Sequence, residues 1–138
     1  MELGLILVIF SSCIYILLGT GHMALTLFTR SFEPKDAELL VVNKQAVTHI
    51  TDQTTFWSGV VGFHLSHSTG LLMFGILYLT LTIEYPELIT SSSIFSSALI
   101  IIPLTYLLFS IRYWFIVPTI GFGISVLGYG LGLVLLSI

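Results

Sequence analysis

Three of the four histidines lie inside long apolar runs: His22 in "GTGHMALTLFTR", and His64 and His67 in "GFHLSHSTG". An imidazole can relay a proton, ligate a metal or join two helices by a hydrogen bond. An ionisable side chain is also costly within hydrocarbon, which makes each such histidine a candidate for function. At about 100° per residue, His64 and His67 stand about 60° apart on a helix, on a face shared with Val60, Leu71 and Phe74. Thr26 and Arg30 follow His22 at steps of four, on the same side. Counted from the ends of the apolar runs, His22 is about six residues deep, His64 about ten and His67 about thirteen, or roughly 9, 15 and 20 Å. The first two can therefore meet if their helices pack side by side and tilt. His49 falls in a polar connection.

Three uses follow. Neutral imidazoles can be satisfied by Ser66, Ser68, Thr69 or backbone carbonyls, in interhelical bonds that contribute about 0.6 kcal/mol each in membranes. His22 with His64 or His67 can bind a cofactor, ligating a haem iron, a chlorophyll-type magnesium or another metal. The same residues can form part of a proton or substrate pathway. No Asp, Glu, Lys or Arg lies deep in the apolar runs, which weakens a pathway and leaves a zinc hydrolase without a third ligand or general base. No catalytic residue is assigned, and the chain is expected not to be an enzyme.

The elements that must position these residues are transmembrane helices. Of the 138 residues, 56% are hydrophobic and 8% charged, far from the roughly 25% charged content of soluble domains. A hydrocarbon layer of about 30 Å needs about 20 apolar residues, and four spans meet that length, at about 3–28, 54–83, 94–115 and 117–138. The expected fold is all-α, a four-transmembrane-helix bundle forming one integral membrane domain over 1–138. All four basic residues, Arg30, Lys35, Lys44 and Arg112, fall in the connections at 29–53 and 112–116. The basic connections face the cytoplasm, so both termini and the 84–93 turn are expected on the outer side. Phe28, Phe56, Trp57, Tyr113 and Trp114 would mark one membrane boundary and Tyr85 the other. With 7 acidic and 4 basic side chains there is no nucleic-acid footprint. Lone Cys13 has no partner for an internal disulfide. The start Met1-Glu2 lacks the basic region of a cleaved signal peptide, so residue 1 is expected to be the mature end.

Between helices in lipid, small residues that permit close approach are the informative ones. Gly121, Ser125, Gly128 and Gly132 form one such stripe in the fourth span; Gly62, Ser66 and Gly70, with Gly59 nearby, form another in the second. Pro103 interrupts the third span and can kink it, and Pro118 suits the start of the fourth. In the 29–53 connection, Leu39, Val42, Val47 and Ile50 could share one side of a short interfacial helix.

The run "GFHLSHSTGLLMFG" (62–75), with "GTGHMALTLF" (19–28), resembles a group of small bacterial four-helix membrane proteins with a G-F-x-x-S-H-x-x-G stretch in the second helix. The resemblance covers the first two spans, makes Gly62, Phe63, Ser66, His67 and Gly70 the motif positions, implies a bacterial inner, cytoplasmic-type membrane and lends no activity. Size, spans and outward termini are also similar to the trimeric membrane enzymes of eicosanoid and glutathione metabolism. The arginine, asparagine and glutamate those enzymes carry in the second helix are missing here, so only the architecture carries over. The expected role is that of a small, non-catalytic membrane subunit in a larger assembly or homo-oligomer within the lipid bilayer. Haem, pigment or metal binding, and a small transporter or proton pathway component, are the alternatives.

Overall fold

The computed structural model describes Glu2–Ile138. In chain order its elements are α1 (Leu3–Phe28), α2 (Ala37–Gln45), strands β1 (Val47–Thr48) and β2 (Thr51–Thr55), α3 (Phe56–Glu84), α4 (Pro86–Ser91), α5 (Ser93–Tyr113) and α6 (Ile116–Leu136). α1, α3, α5 and α6 are each long and apolar enough to cross a membrane. The shortest of them, with 21 residues, extends about 32 Å, enough for a hydrocarbon layer of about 30 Å. Lipid offers the backbone no hydrogen-bond partner, so these apolar segments satisfy their peptide groups internally, as helices.

The connections differ in detail from expectation. The second holds a further helix, α4, with Pro86 at its first position, where a missing N–H costs nothing. α6 begins at Ile116 and takes Pro118 in its first turn, where backbone N–H groups also have no intrahelical acceptor. In the first connection, Asp36 caps α2 by accepting from the Glu38 and Leu39 N–H groups at 2.9 and 3.3 Å. α2 then stops at Gln45, so Leu39, Val42, Val47 and Ile50 do not share one helix side. Val47 instead pairs with Thr55 in an antiparallel hairpin, with His49 and Ile50 at its tip. The β-branched and threonine-rich run "VTHITDQTT" favours strand over helix. The inward residue of α2 is Leu40, while Leu39 and Val42 are exposed.

Where the sequence suggests a single domain, two compact units are distinguishable. One comprises residues up to Leu18 with Leu71–Ile138; the other is Gly19–Gly70. In the first, parts of all four long helices surround Tyr15, Phe74, Tyr78, Phe122 and Tyr129, all buried. The Tyr15 ring lies 4.9 Å from Phe74 and 5.4 Å from Phe122, within the range in which tilted aromatic pairs attract. Two of the three phenols in this core are tethered: Tyr78 donates to the Phe95 carbonyl at 2.7 Å and Tyr129 to Ser12 Oγ at 3.1 Å, whereas the buried Tyr15 hydroxyl makes no hydrogen bond among the described residues.

Glycines set how closely the helices approach. A Cβ on Gly132 would lie 2.9 Å from the Gly4 carbonyl oxygen, and one on Gly128 would collide with the Ser11 hydroxyl. Gly121 faces Leu18, so the last-span stripe runs antiparallel along α1 through Gly4, Ser11 and Leu18, with Ser125 buried beside it. α3 approaches α1 through Gly75, where a Cβ would lie 2.8 Å from the Ser12 carbonyl oxygen and 3.0 Å from the Ile16 nitrogen. Backbone atoms cannot rotate away as a side chain can. Gly75→Ala is therefore expected to lower stability by about 1–3 kcal/mol through overpacking. Gly62→Ala, which meets nothing within 4 Å, is expected not to destabilise; unfolding of both variants in mild detergent checks the contrast.

Candidate functional site

The Gly19–Gly70 unit carries the histidines. The last turns of α1 present His22, and the first half of α3 presents His64 and His67. His22 lies six residues before the end of α1 and His64 eight after the start of α3, so both stand roughly 9 to 12 Å along their helices from the 29–55 connection. There His22 Nε2 and His64 Nδ1 are 2.9 Å apart. The His22 ring centre is 5.0 Å from that of His64 and 5.3 Å from that of His67. All three imidazoles are half-buried.

A neutral imidazole has one donor and one acceptor nitrogen, so the 2.9 Å contact fixes complementary tautomers. If His22 donates from Nε2, His64 accepts at Nδ1 and carries its hydrogen on Nε2; the reverse assignment serves equally. The hydroxyls expected to serve these rings donate to their own helix instead: Ser66 to the Phe63 carbonyl, Ser68 to the His64 carbonyl and Thr69 to the Leu65 carbonyl, at 2.8 to 2.9 Å. Thr26 likewise donates to the His22 carbonyl at 2.8 Å. Serine and threonine in helices habitually bond back to the preceding turn, and that habit removes their protons from the site.

Two phenylalanines complete it. Phe63 lies parallel to His67 with ring centres 6.1 Å apart. Phe32, from the connection, stacks on His64 at 4.4 Å with an interplanar angle of 23°, and its centre is 4.7 Å from that of His22. A turn puts it there. The Glu33 N–H donates to the Arg30 carbonyl at 3.1 Å, closing a β-turn with Ser31 and Phe32 at its centre. Thr29 holds the base of the turn by donating to the Leu25 carbonyl and accepting from the Ser31 N–H. Arg30 Nε donates to one Glu33 oxygen, and Lys44 of α2 lies 3.7 Å from the other. The hydrogen bond from Arg30 holds the Glu33 carboxyl below the ordinary carboxylate range and raises the Arg30 guanidinium.

For metal chemistry the arrangement is specific. No group of three or more His, Cys, Asp or Glu among the described residues is arranged to hold a metal ion. An axial pair on opposite sides of a haem iron would need His22 Nε2 and His64 Nδ1 about 4 Å apart, twice a metal–imidazole bond of about 2.0 Å; at 2.9 Å a ring must turn before the two can hold a haem in that way.

Of the other sequence candidates, Gly62 and Ser66 are exposed and Gly70 is half-buried. Gly62 has no neighbour within 4 Å of a Cβ position among the described residues, so within the Gly19–Gly70 unit the stripe brings no helix against Gly62. The α3 face turned to α1 in this unit is the imidazole face. His49 is exposed at the hairpin tip. Phe32 and Glu33 escape sequence reasoning; the available signal was a lone aromatic residue amid charge in "TRSFEPKD".

A double-mutant cycle of His22→Ala and His64→Ala is expected to show a coupling of about 0.6–1.7 kcal/mol, the range of interhelical hydrogen bonds in membranes. Strictly additive losses would mean that the two rings do not bond. The chain matches no family model, no curated protein and no solved structure.

Proposed function

We propose that this chain is a small, non-catalytic membrane module whose working centre is a proton-sharing imidazole pair, His22 and His64, with His67 as a third ring. The observation that carries this reading is the 2.9 Å approach of His22 Nε2 to His64 Nδ1. Two rings bonded nitrogen to nitrogen form the shortest imidazole proton relay. A proton arriving on the outer nitrogen of one ring makes an imidazolium, the shared hydrogen crosses to the facing nitrogen, and the second ring releases its own far proton. One proton enters and one leaves. Ring reorientation then restores the starting tautomers.

Intramembrane ionisable residues with a named partner are strong indicators of such pathways. Histidine is also the side chain whose ordinary titration lies in the physiological range. Haem or pigment ligation by His22 with His64 or His67 is the less favoured use, because taking the Nε2 of His22 as an axial ligand gives up its bond to His64. On the distribution of its basic residues the reading puts both termini outside and the 29–53 connection inside, in the bacterial cytoplasmic-type membrane that the resemblance of its first two spans implies.

A second reading, association with other membrane chains or with further copies, is favoured by exposed Gly59, Gly62 and Ser66. Such small-residue stripes allow close helix approach in lipid. The two readings are compatible, since the stripe and the imidazoles occupy different faces of α3.

In ¹⁵N-histidine-labelled protein, a nitrogen–nitrogen coupling across the hydrogen bond is expected between His22 and His64, and its loss in His22→Ala. Vesicles containing the protein and a trapped pH dye are expected to take up protons faster than lipid alone, with the excess lost in His22→Ala and His64→Ala. Identical uptake by wild type and variants would remove the relay. For orientation, single cysteines at Lys44 and Glu87 in a Cys13→Ser background are expected to label from opposite sides.

A further inference from the structure

Phe32 belongs to neither imidazole-bearing helix, yet its ring covers both members of the pair, 4.4 Å from His64 and 4.7 Å from His22 between ring centres. It stands at the centre of a turn whose two corners, Arg30 and Glu33, are joined twice: by the backbone bond from Glu33 N–H to the Arg30 carbonyl, and by their side chains. The second Glu33 oxygen faces Lys44 of α2 at 3.7 Å. Glu33 thus ties the turn to the next helix as well as closing it. Its side chain is only 19% exposed, whereas those of Arg30 and Lys44 are 82% and 49% exposed. The carboxylate is the inner member of a latch whose cations face solvent.

We propose that Phe32 is a lid on the His22–His64 pair and that the Arg30–Glu33–Lys44 cluster is its latch, so that ionic conditions at this membrane surface govern access to the imidazoles. The inference rests on the reading of the pair as the working centre and adds its regulation. An apolar ring stacked on an imidazole excludes water and solute from that face. Exposed ion pairs hold weakly and are screened by salt, which makes the latch easy to release. The aromatic ring and the charges do separate jobs: the ring shields, and the charges place it.

The test is carbethoxylation of the full-length protein by diethyl pyrocarbonate in detergent, resolved by peptide mass spectrometry, with exposed His49 as internal reference. Phe32→Ala and Glu33→Gln are expected to speed modification of His22 and His64 by roughly fivefold or more relative to His49, as for removal of a local closure. Phe32→Tyr is expected to keep the protection. Raising ionic strength is expected to speed the same two histidines in wild type and to add little in Glu33→Gln. Unchanged His22 and His64 rates in both variants overturn the proposal. So does acceleration of His49 in step with them, which would report general loosening of the connection. The nitrogen–nitrogen coupling is read on the same samples, so unchanged rates with coupling retained remove the lid and leave the imidazole pair standing.

Discussion

Hydrocarbon neither gives nor accepts a proton, so every polar group that a chain carries into it must be matched from within the protein. That constraint organises most of this molecule, the buried Ser11 and Tyr15 hydroxyls being exceptions among the described residues. The backbone meets it by coiling into four long helices. Most of the hydroxyls meet it locally, as when Ser12, Thr82 and Ser125 donate to carbonyls four residues earlier. The phenols of Tyr78 and Tyr129 reach across to another helix. The imidazole cannot reach its own backbone in this way, and His22 and His64 turn to each other. A pair formed under that constraint has the complementary donor and acceptor that proton transfer requires.

The spans were legible because length and apolar content decide them. α1 has the expected bounds, while α3 starts two residues later than expected because Thr54 and Thr55 complete β2. The threonine-rich hairpin is hidden because Leu39, Val42, Val47 and Ile50 follow a helical period through residues that prefer strand. α4 was missed because a six-residue helix has too few turns to show a period.

Small-residue stripes illustrate what spacing alone cannot specify. Gly121, Gly128 and Gly132 lie against α1, while Gly62 and Ser66 look outward, although both sets recur at helical intervals. Spacing fixes which residues share a face; which neighbour covers that face depends on contacts distant in sequence. The same limit applied to the histidines. Depth counting put His22 and His64 near a common level, but which nitrogens meet depends on ring rotation. The Phe32 cover depends on a turn whose closing residues, Arg30 and Glu33, look in sequence like ordinary connection charge.

The link between α5 and α6 is only Trp114 and Phe115. Two residues cannot carry a chain back across a bilayer, so these helices enter and leave from one side as a closed hairpin. Each is apolar enough to partition alone, and the stacking of half-buried Tyr106 on Phe122 at 5.4 Å can form as soon as both have left the ribosome. Insertion of α5 and α6 is thus a joint event, the two helices entering lipid as one closed pair.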